Sequence, residues 1–274
     1  MPTVLILANE TIAGQALLDR IRERSEEGAR FFVVVPQTKP RHGNVIYDEV
    51  VRDSAQVRVD LALEFIRDLG AVGDGEVGDQ DPLNAAMDAI RAQPIDEVIV
   101  STLPASTSGW VKRDLIERLE EATGLPVEHV EVDLAEGLPF DVTLVVANLT
   151  VAAPELVERL KALAAESPRR FIVVVPQSGR QGHRVREARQ RARRLLASLD
   201  DEVIVAAGMI GDPDPYTAIM NALQYFHISE LVISTLPEGS SQWVADKLVE
   251  RVRDETKVPV EHIESRSAEP AEAS

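Results

Sequence analysis

The sequence contains an internal duplication, and this duplication restricts the chain to folds built from two similar domains. The repeated segments keep their order along the chain: TVLILANETIA at 3–13 and VTLVVANLTVA at 142–152, FFVVVPQ at 31–37 and FIVVVPQ at 171–177, GDQDP at 78–82 and GDPDP at 211–215, PVEH at 126–129 and 259–262. Solenoid repeats are only about 20–50 residues long. We therefore predict two tandem domains, 1–134 and 139–266, followed by a disordered acidic tail at 267–274.

The composition excludes several classes of function. The net charge is −17, from 29 basic and 46 acidic residues, which is the wrong sign for a general nucleic-acid binder. The chain has no cysteine, which excludes disulfides and thiolate chemistry. We found no signal peptide and no apolar run of the ~18–20 residues that span a membrane. We therefore expect a cytoplasmic protein that binds neither nucleic acid nor membrane.

Each repeat alternates short apolar runs with amphipathic stretches in the order βαβαβαβαβ. Val4–Ala8 and Phe31–Val35 are continuous β-rich runs, typical of strands that are covered on both faces. A helix is predicted at Val244–Asp254 in the second repeat. This order predicts an α/β fold in which each domain is a five-stranded parallel sheet with helices on both faces, flavodoxin-like or Rossmann-like. Ligands in such folds bind beyond the carboxyl ends of the strands.

With this order of elements, the chain resembles the universal stress protein family in its tandem form. The resemblance covers about Thr3–Asp133 and Asp141–Glu264. It depends on the element order, on the GDQDP and GDPDP segments before the third helix, and on the VIVST and PVEH segments around the last helix. It implies an internal pseudo-dimer that can dimerise further, a role in the stress response, and ATP or another adenine nucleotide as ligand.

The family's phosphate-binding motif, G-x2-G-x9-G-(S/T), is not intact in either repeat. Its glycines fall at Ser101, Pro104 and Asp114 in the first repeat, and at Ser234, Pro237 and Lys247 in the second. Glycine lets backbone amides approach a phosphate closely, whereas proline removes an amide donor. The acidic residue that helps to hold the adenosine in the family is similarly replaced by asparagine. The resemblance therefore implies a degenerate nucleotide site.

The candidate ligand-binding residues are hydroxyl and amide side chains in the loops that follow the first and fourth strands of each repeat. They are Asn9, Thr11, Ser101, Thr102, Ser106 and Ser108 in the first repeat, and Asn148, Thr150, Ser234, Thr235, Ser240 and Ser241 in the second. The same side chains can instead hold turns and cap helices. Trp110 and Trp243 occupy equivalent positions, where they either pack in a core or interface or stack on a ligand.

Three further patterns do not indicate a site. Gly73–Gly78 matches the dinucleotide fingerprint G-x-G-x-x-G, but it runs through the predicted third strand instead of following one. Glu128-His129 and Glu261-His262 lie on strands, where adjacent side chains face opposite sides and cannot share a metal. The arginines of 180–194 are better explained as the solvated face of an amphipathic helix than as a cluster that attracts phosphate or an acidic partner. We predict no metal site.

The sequence shows no motif for a catalytic residue, so the leading hypothesis is a non-catalytic regulatory protein. In this reading it binds a small ligand or an adenine nucleotide at the carboxyl ends of the strands. One alternative is a ligand-free module in which degenerate sites only maintain the loops and the surface contacts a protein partner. The other is a nucleotide hydrolase, for which Asp79 or Asp212 is the nearest general base.

Overall fold

The computed structural model describes residues 1–104, 108–110, 114–177, 184–199 and 204–266. The chain forms two compact units. Unit 1 comprises Met1–Lys39 and Ser54–Pro139, and unit 2 comprises Pro40–Asp53 and Phe140–Ser274. Within the described residues, no helix has the length and hydrophobicity that crossing a membrane requires.

The elements of the first repeat follow the predicted alternation. They are β1 (Thr3–Leu7), α1 (Gln15–Glu26), β2 (Arg30–Pro36), α2 (Asp48–Asp68), β3 (Gly73–Gly78), α3 (Pro82–Ala92), β4 (Glu97–Thr102), α4 (Leu115–Thr123) and β5 (Val127–Glu131). The division between the two units falls within α2. A 3₁₀ turn at Leu134–Glu136 follows β5.

The second repeat has the same alternation with one helix divided in two. Its elements are β6 (Asp141–Val146), α5 (Pro154–Glu166), β7 (Arg169–Pro176), α6 (Arg184–Ser198), β8 (Val205–Gly211), α7 (Pro215–Tyr225), β9 (Glu230–Thr235), α8 (Gln242–Ala245), α9 (Leu248–Glu255) and β10 (Val260–Glu264).

Each unit contains one five-stranded, all-parallel sheet. The strand order is β3-β2-β1-β4-β5 in unit 1, and β8-β7-β6-β9-β10 is the equivalent order in unit 2. This corresponds to the first five positions of the Rossmann order 3-2-1-4-5-6 and differs from the flavodoxin order 2-1-3-4-5. In unit 1, β2 and β3 lie on one side of β1, and β4 and β5 lie on its other side. In unit 2 the strand order likewise changes direction between β6 and β9. The ligand-binding crevice of such a sheet is expected there.

Helices cover both faces of the unit 1 sheet. Residues of α3 and α4 pack with alternate side chains of β1, β2 and β4 in one buried cluster, which contains Leu5, Leu7, Val34, Ala85, Ala89, Val100 and Leu119. The helix α2 approaches the opposite face so closely that a Cβ on Gly75 would lie 3.0 Å from Val59 Cγ1. A Cβ on Gly78 would lie 2.6 Å from the Cβ of Ala85 in α3. Close helix packing thus accounts for Gly75 and Gly78 of β3.

The prediction of one continuous helix at Val244–Asp254 is wrong, because the helix is interrupted at Lys247. Lys247 has a φ of 53°, in the left-handed region, between α8 and α9. In the first repeat, Asp114 has a φ of 51° directly before α4. A left-handed residue cannot continue a right-handed helix. The two residues at equivalent positions of the repeats therefore share a backbone conformation that favours glycine, although neither residue is glycine.

Unit 2 includes the segment Pro40–Asp53, which precedes and begins α2. The His42 amide donates to Asn221 Oδ1 at 3.0 Å, and Asn221 Nδ2 donates to the His42 carbonyl at 3.2 Å. Asp53 accepts a hydrogen bond from Arg189 Nη2 at 2.8 Å. These contacts attach the segment to α6 and α7 of the second repeat.

Candidate functional site

The candidate site is a cleft of about 290 Å³ in unit 2, at the carboxyl ends of β6 and β9. These are the strands between which the order of the sheet reverses. All six ligand-binding candidates of the second repeat line this cleft, together with four neighbours: Asn148, Leu149, Thr150, Ser234, Thr235, Leu236, Ser240, Ser241, Gln242 and Trp243. The structure therefore brings together side chains that lie up to 95 positions apart in the sequence.

The floor of the cleft is a hydroxyl pair that joins the two strand ends. Thr150 Oγ1 donates to the Ser234 carbonyl at 3.1 Å, and Ser234 Oγ lies 2.8 Å from Thr150 Oγ1 and 3.2 Å from Ser265 Oγ. Thr150 and Ser234 are each only 1% exposed. Because buried hydroxyls need hydrogen-bond partners, this pair holds the loop after β6 against the end of β9.

A second hydroxyl at the end of β9 contacts a histidine of the edge strand. Thr235 Oγ1 lies 2.8 Å from His262 Nε2, and Thr102 Oγ1 lies 2.8 Å from His129 Nε2 in unit 1. The sequence placed these histidines on the fifth strands but did not pair them with a threonine. Each contact fixes the side-chain orientation at a strand end.

The rim of the cleft is the turn that leads into α8. The Ser240 amide donates to the Pro237 carbonyl at 3.0 Å, and Ser241 Oγ accepts from the Val244 amide at 3.3 Å. Gln242 Nε2 donates to Asp246 Oδ1 at 2.9 Å. Ser241 therefore caps a helix, as the alternative interpretation of these hydroxyls allowed, while Ser240 stays exposed on the turn.

Apolar side chains are also accessible in this cleft. Leu149 is 37% exposed, and Trp243 is half-buried at the start of α8. A small-molecule site typically combines apolar and aromatic walls with a few polar groups. The cleft of unit 2 has this composition, and its volume is near the lower end of the ~300–1,000 Å³ range of ligand pockets.

Unit 1 repeats the hydroxyl pair, and its asparagine is hydrogen-bonded within the protein. Thr11 Oγ1 donates to the Ser101 carbonyl at 3.2 Å and accepts from Ser101 Oγ at 2.9 Å. Asn9 Nδ2 donates to Thr38 Oγ1 at 2.7 Å, and Asn9 Oδ1 accepts a hydrogen bond from Arg58 Nη1. The amide predicted to contact a ligand is thus held from both sides by side chains of the protein.

Two further candidates of the first repeat are Ser106 and Ser108. Ser106 lies outside the described residues. Ser108 is buried, and its Oγ accepts from the Trp110 amide at 3.3 Å. Trp110 packs against the buried cluster beneath α3 and α4, whereas the equivalent Trp243 lines the cleft of unit 2. The two equivalent tryptophans therefore differ in their surroundings.

Sequence reasoning missed a pair of buried arginines. Arg58 of α2 is 1% exposed and Arg191 of α6 is 8% exposed, although the helical pattern placed Arg191 on a solvated face. The offset of 133 residues that relates Gly78 to Gly211 also relates Arg58 to Arg191. Comparing the two helices at that offset would have found them, since an arginine shared by both repeats is unlike the other basic residues of α6.

The aspartates considered as a general base have structural contacts. Asp79 Oδ1 accepts from the Asp81 amide at 2.8 Å, and Asp212 Oδ1 accepts from the Asp214 amide at 2.9 Å. Asp81 and Asp214 cap α3 and α7, as predicted. Burial raises the pKa of the Asp212 carboxyl. Across the part of the chain that the structure describes, no three His, Asp or Glu side chains are grouped to hold a metal.

No protein-family model and no curated protein sequence matches the chain. The solved structures that it resembles are universal stress proteins. One from Archaeoglobus fulgidus is 16% identical over 97% of both chains, with a TM-score of 0.34. Another from the same organism is 19% identical over 47% of this chain and 93% of its own, with a TM-score of 0.35.

A universal stress protein from Arabidopsis thaliana, solved with AMP bound, is 14% identical over 50% of this chain and 97% of its own, with a TM-score of 0.32. Similarity at this level carries no argument about ligand or activity. The description of the fold rests on the two parallel sheets and their strand order.

Proposed function

We propose that this protein is a non-catalytic regulatory protein that binds one small ligand, with an adenine nucleotide as the first candidate, in the cleft of unit 2. The observation that supports it is the convergence of all six polar candidates of the second repeat on one cleft with accessible Leu149 and Trp243. An apolar, aromatic wall beside amide and hydroxyl groups suits a planar base with a sugar.

We expect a single site for each chain, because the two equivalent tryptophans differ in their surroundings. Trp110 of unit 1 packs on the buried cluster of its sheet and helices, whereas Trp243 of unit 2 lines the cleft. A ligand in unit 2 would therefore contact the aromatic side chain whose counterpart in unit 1 is used for packing.

The test is a fluorescence titration with AMP, because the chain has only two tryptophans. In a Trp110→Phe variant, Trp243 is the only tryptophan, and saturable AMP-dependent quenching is expected. In the matched Trp243→Phe variant, Trp110 reports on unit 1, and its emission is expected to stay constant.

Calorimetry on the unmodified chain supplies the stoichiometry, which is expected to be one AMP for each chain. Quenching confined to Trp110, or a stoichiometry of two, would contradict the assignment to unit 2. Absence of binding to AMP, adenosine and ATP would remove the nucleotide proposal and favour the protein-interaction module.

A further inference from the structure

A glutamine directly follows the second strand of each repeat, but its side chain has different contacts in the two units. These residues are Gln37 after β2 and Gln177 after β7. Gln37 is half-buried, and its Nε2 donates to the Gly78 carbonyl at 3.3 Å. Gln177 is only 4% exposed, and among the described residues its buried Nε2 has no hydrogen-bond acceptor. The side-chain donor is therefore satisfied in unit 1 and not in unit 2.

The difference is confined to the side chains, because the two backbones are bonded alike. The Gln37 amide donates to the Gly78 carbonyl at 3.4 Å, and the Gln177 amide donates to the Gly211 carbonyl at 3.3 Å. A buried donor without an acceptor destabilises a folded protein, since it has given up its hydrogen bonds with water. Such groups are rare in proteins, and each one calls for a specific cause.

The position of Gln177 beside the cleft of unit 2 suggests that cause. The strands β6 and β7 pair in parallel, and the Ala147 amide extends the ladder by donating to the Val174 carbonyl at 3.4 Å. This register places Asn148, which lines the cleft, level with Pro176, the residue before Gln177. Neighbouring strands lie about 4.8 Å apart. The unsatisfied donor is therefore at the strand end next to the cleft wall.

We propose that Gln177 is a further ligand-contact residue of this cleft, and that its side-chain N–H donates to a hydrogen-bond acceptor of the ligand. This inference rests on the proposed function and adds a chemical requirement to it. An adenine nucleotide has suitable acceptors in its ring nitrogens and ribose oxygens. A ligand that presents only a donor to Gln177 leaves the amide unsatisfied and is selected against.

The first part of the experiment measures stability without ligand. Gln177→Met keeps the length of the side chain and removes the unsatisfied donor. It is therefore expected to raise the urea midpoint of unit 2, followed by Trp243 emission in a Trp110→Phe background. The matched Gln37→Met variant loses the bond to the Gly78 carbonyl. It is expected to lower the urea midpoint of unit 1, followed by Trp110 emission in a Trp243→Phe background.

The second part measures the affinity for AMP by calorimetry, with both tryptophans retained. Gln177→Met is expected to weaken AMP binding about tenfold, because the ligand loses one buried hydrogen bond. Gln37→Met is expected to leave the dissociation constant unchanged. Weaker binding by a more stable variant cannot result from partial unfolding, so the two parts together separate ligand contact from a structural role.

The outcomes also separate this inference from the function on which it rests. An unchanged dissociation constant for AMP in Gln177→Met would overturn the inference and leave the cleft as the ligand site. A lower urea midpoint of unit 2 would overturn it as well, since Gln177 Nε2 would then have an acceptor in the free protein. Failure of the unmodified chain to bind AMP would instead remove the proposed function, and the inference with it.

Discussion

The hydroxyl pairs at the strand ends make a quantitative prediction about stability. Thr11→Val keeps the shape of the side chain but removes a hydroxyl that bonds both the carbonyl and the hydroxyl of Ser101. A buried hydrogen bond contributes about 0.5–1.5 kcal/mol, and a buried group left without its partner costs about 1–3 kcal/mol. We therefore expect Thr11→Val to lower the free energy of unfolding of unit 1 by about 2–3 kcal/mol.

The equivalent change in unit 2 is expected to cost less. After Thr150→Val, the Ser234 hydroxyl still has Ser265 Oγ at 3.2 Å, whereas Val132 occupies that position in unit 1. The remaining partner keeps Ser234 satisfied, so the expected loss is about 1–2 kcal/mol. The difference between the stability losses of Thr11→Val and Thr150→Val measures the contribution of Ser265. Adding Ser265→Ala to Thr150→Val is expected to abolish this difference.

The assay is urea denaturation followed by tryptophan fluorescence in single-tryptophan backgrounds. Trp110, retained in Trp243→Phe, reports on unit 1, and Trp243, retained in Trp110→Phe, reports on unit 2. Each valine substitution is expected to shift the transition of its own unit with an unchanged slope. A loss below about 0.3 kcal/mol in both units would refute the reasoning, since it would place these hydroxyls in contact with water instead of each other.

Three further predictions concern single residues of unit 2. Gly211→Ala is expected to destabilise the protein by about 1–3 kcal/mol, because the new Cβ would lie 2.7 Å from the Cβ of Ala218; an unchanged urea midpoint would contradict this packing. Lys247→Gly is expected to raise the free energy of unfolding by about 0.5–1 kcal/mol, because glycine adopts the left-handed conformation of this position without the steric cost that lysine has. A fall in the melting temperature would contradict this prediction. Burial raises the pKa of the Asp212 carboxyl, so the charged carboxylate destabilises the folded protein at pH values above this raised pKa. The destabilisation disappears as the pH falls from the raised pKa to the ordinary pKa of aspartate. Asp212→Asn is therefore expected to raise the free energy of unfolding at neutral pH and not at acidic pH, with Asp79→Asn as the control variant. An equal increase at both pH values would refute this cause.

Much of the fold could be predicted because both repeats carry the same local signals. Continuous apolar runs such as Val4–Ala8 indicate strands that are buried on both faces, and β1 is buried along almost its whole length. Asp81 and Asp214, each followed by a proline, indicate helix starts and cap α3 and α7. These signals depend only on neighbouring residues, so a single sequence contains them.

The features that the sequence did not reveal depend on residues far apart in the chain. The spacing of Val244–Asp254 fits one amphipathic helix, and only the backbone shows the left-handed Lys247 that divides it. The assignment of Pro40–Asp53 to unit 2 has no counterpart in the repeat pattern. Burial of Arg191 likewise depends on what packs over α6 and not on its helical position.

The six polar residues that line the cleft of unit 2 could be named from the sequence, but their geometry could not. The loops after the first and fourth strands converge because the strand order reverses there, and the six residues of the second repeat accordingly line one cleft. Which hydroxyls are accessible in the cleft and which face each other depends on side-chain contacts. Thr150 and Ser234 face each other, whereas Ser240 stays exposed.

The most direct test of the central claim is amide hydrogen exchange with and without saturating AMP. The account predicts slower exchange in the loop after β6, at 147–151, and in the rim turn and α8, at 236–245. It predicts unchanged exchange in the equivalent loop of unit 1, at 8–12. Protection confined to the unit 1 loop, or no protection in either unit, would contradict the claim that the cleft of unit 2 is the ligand site.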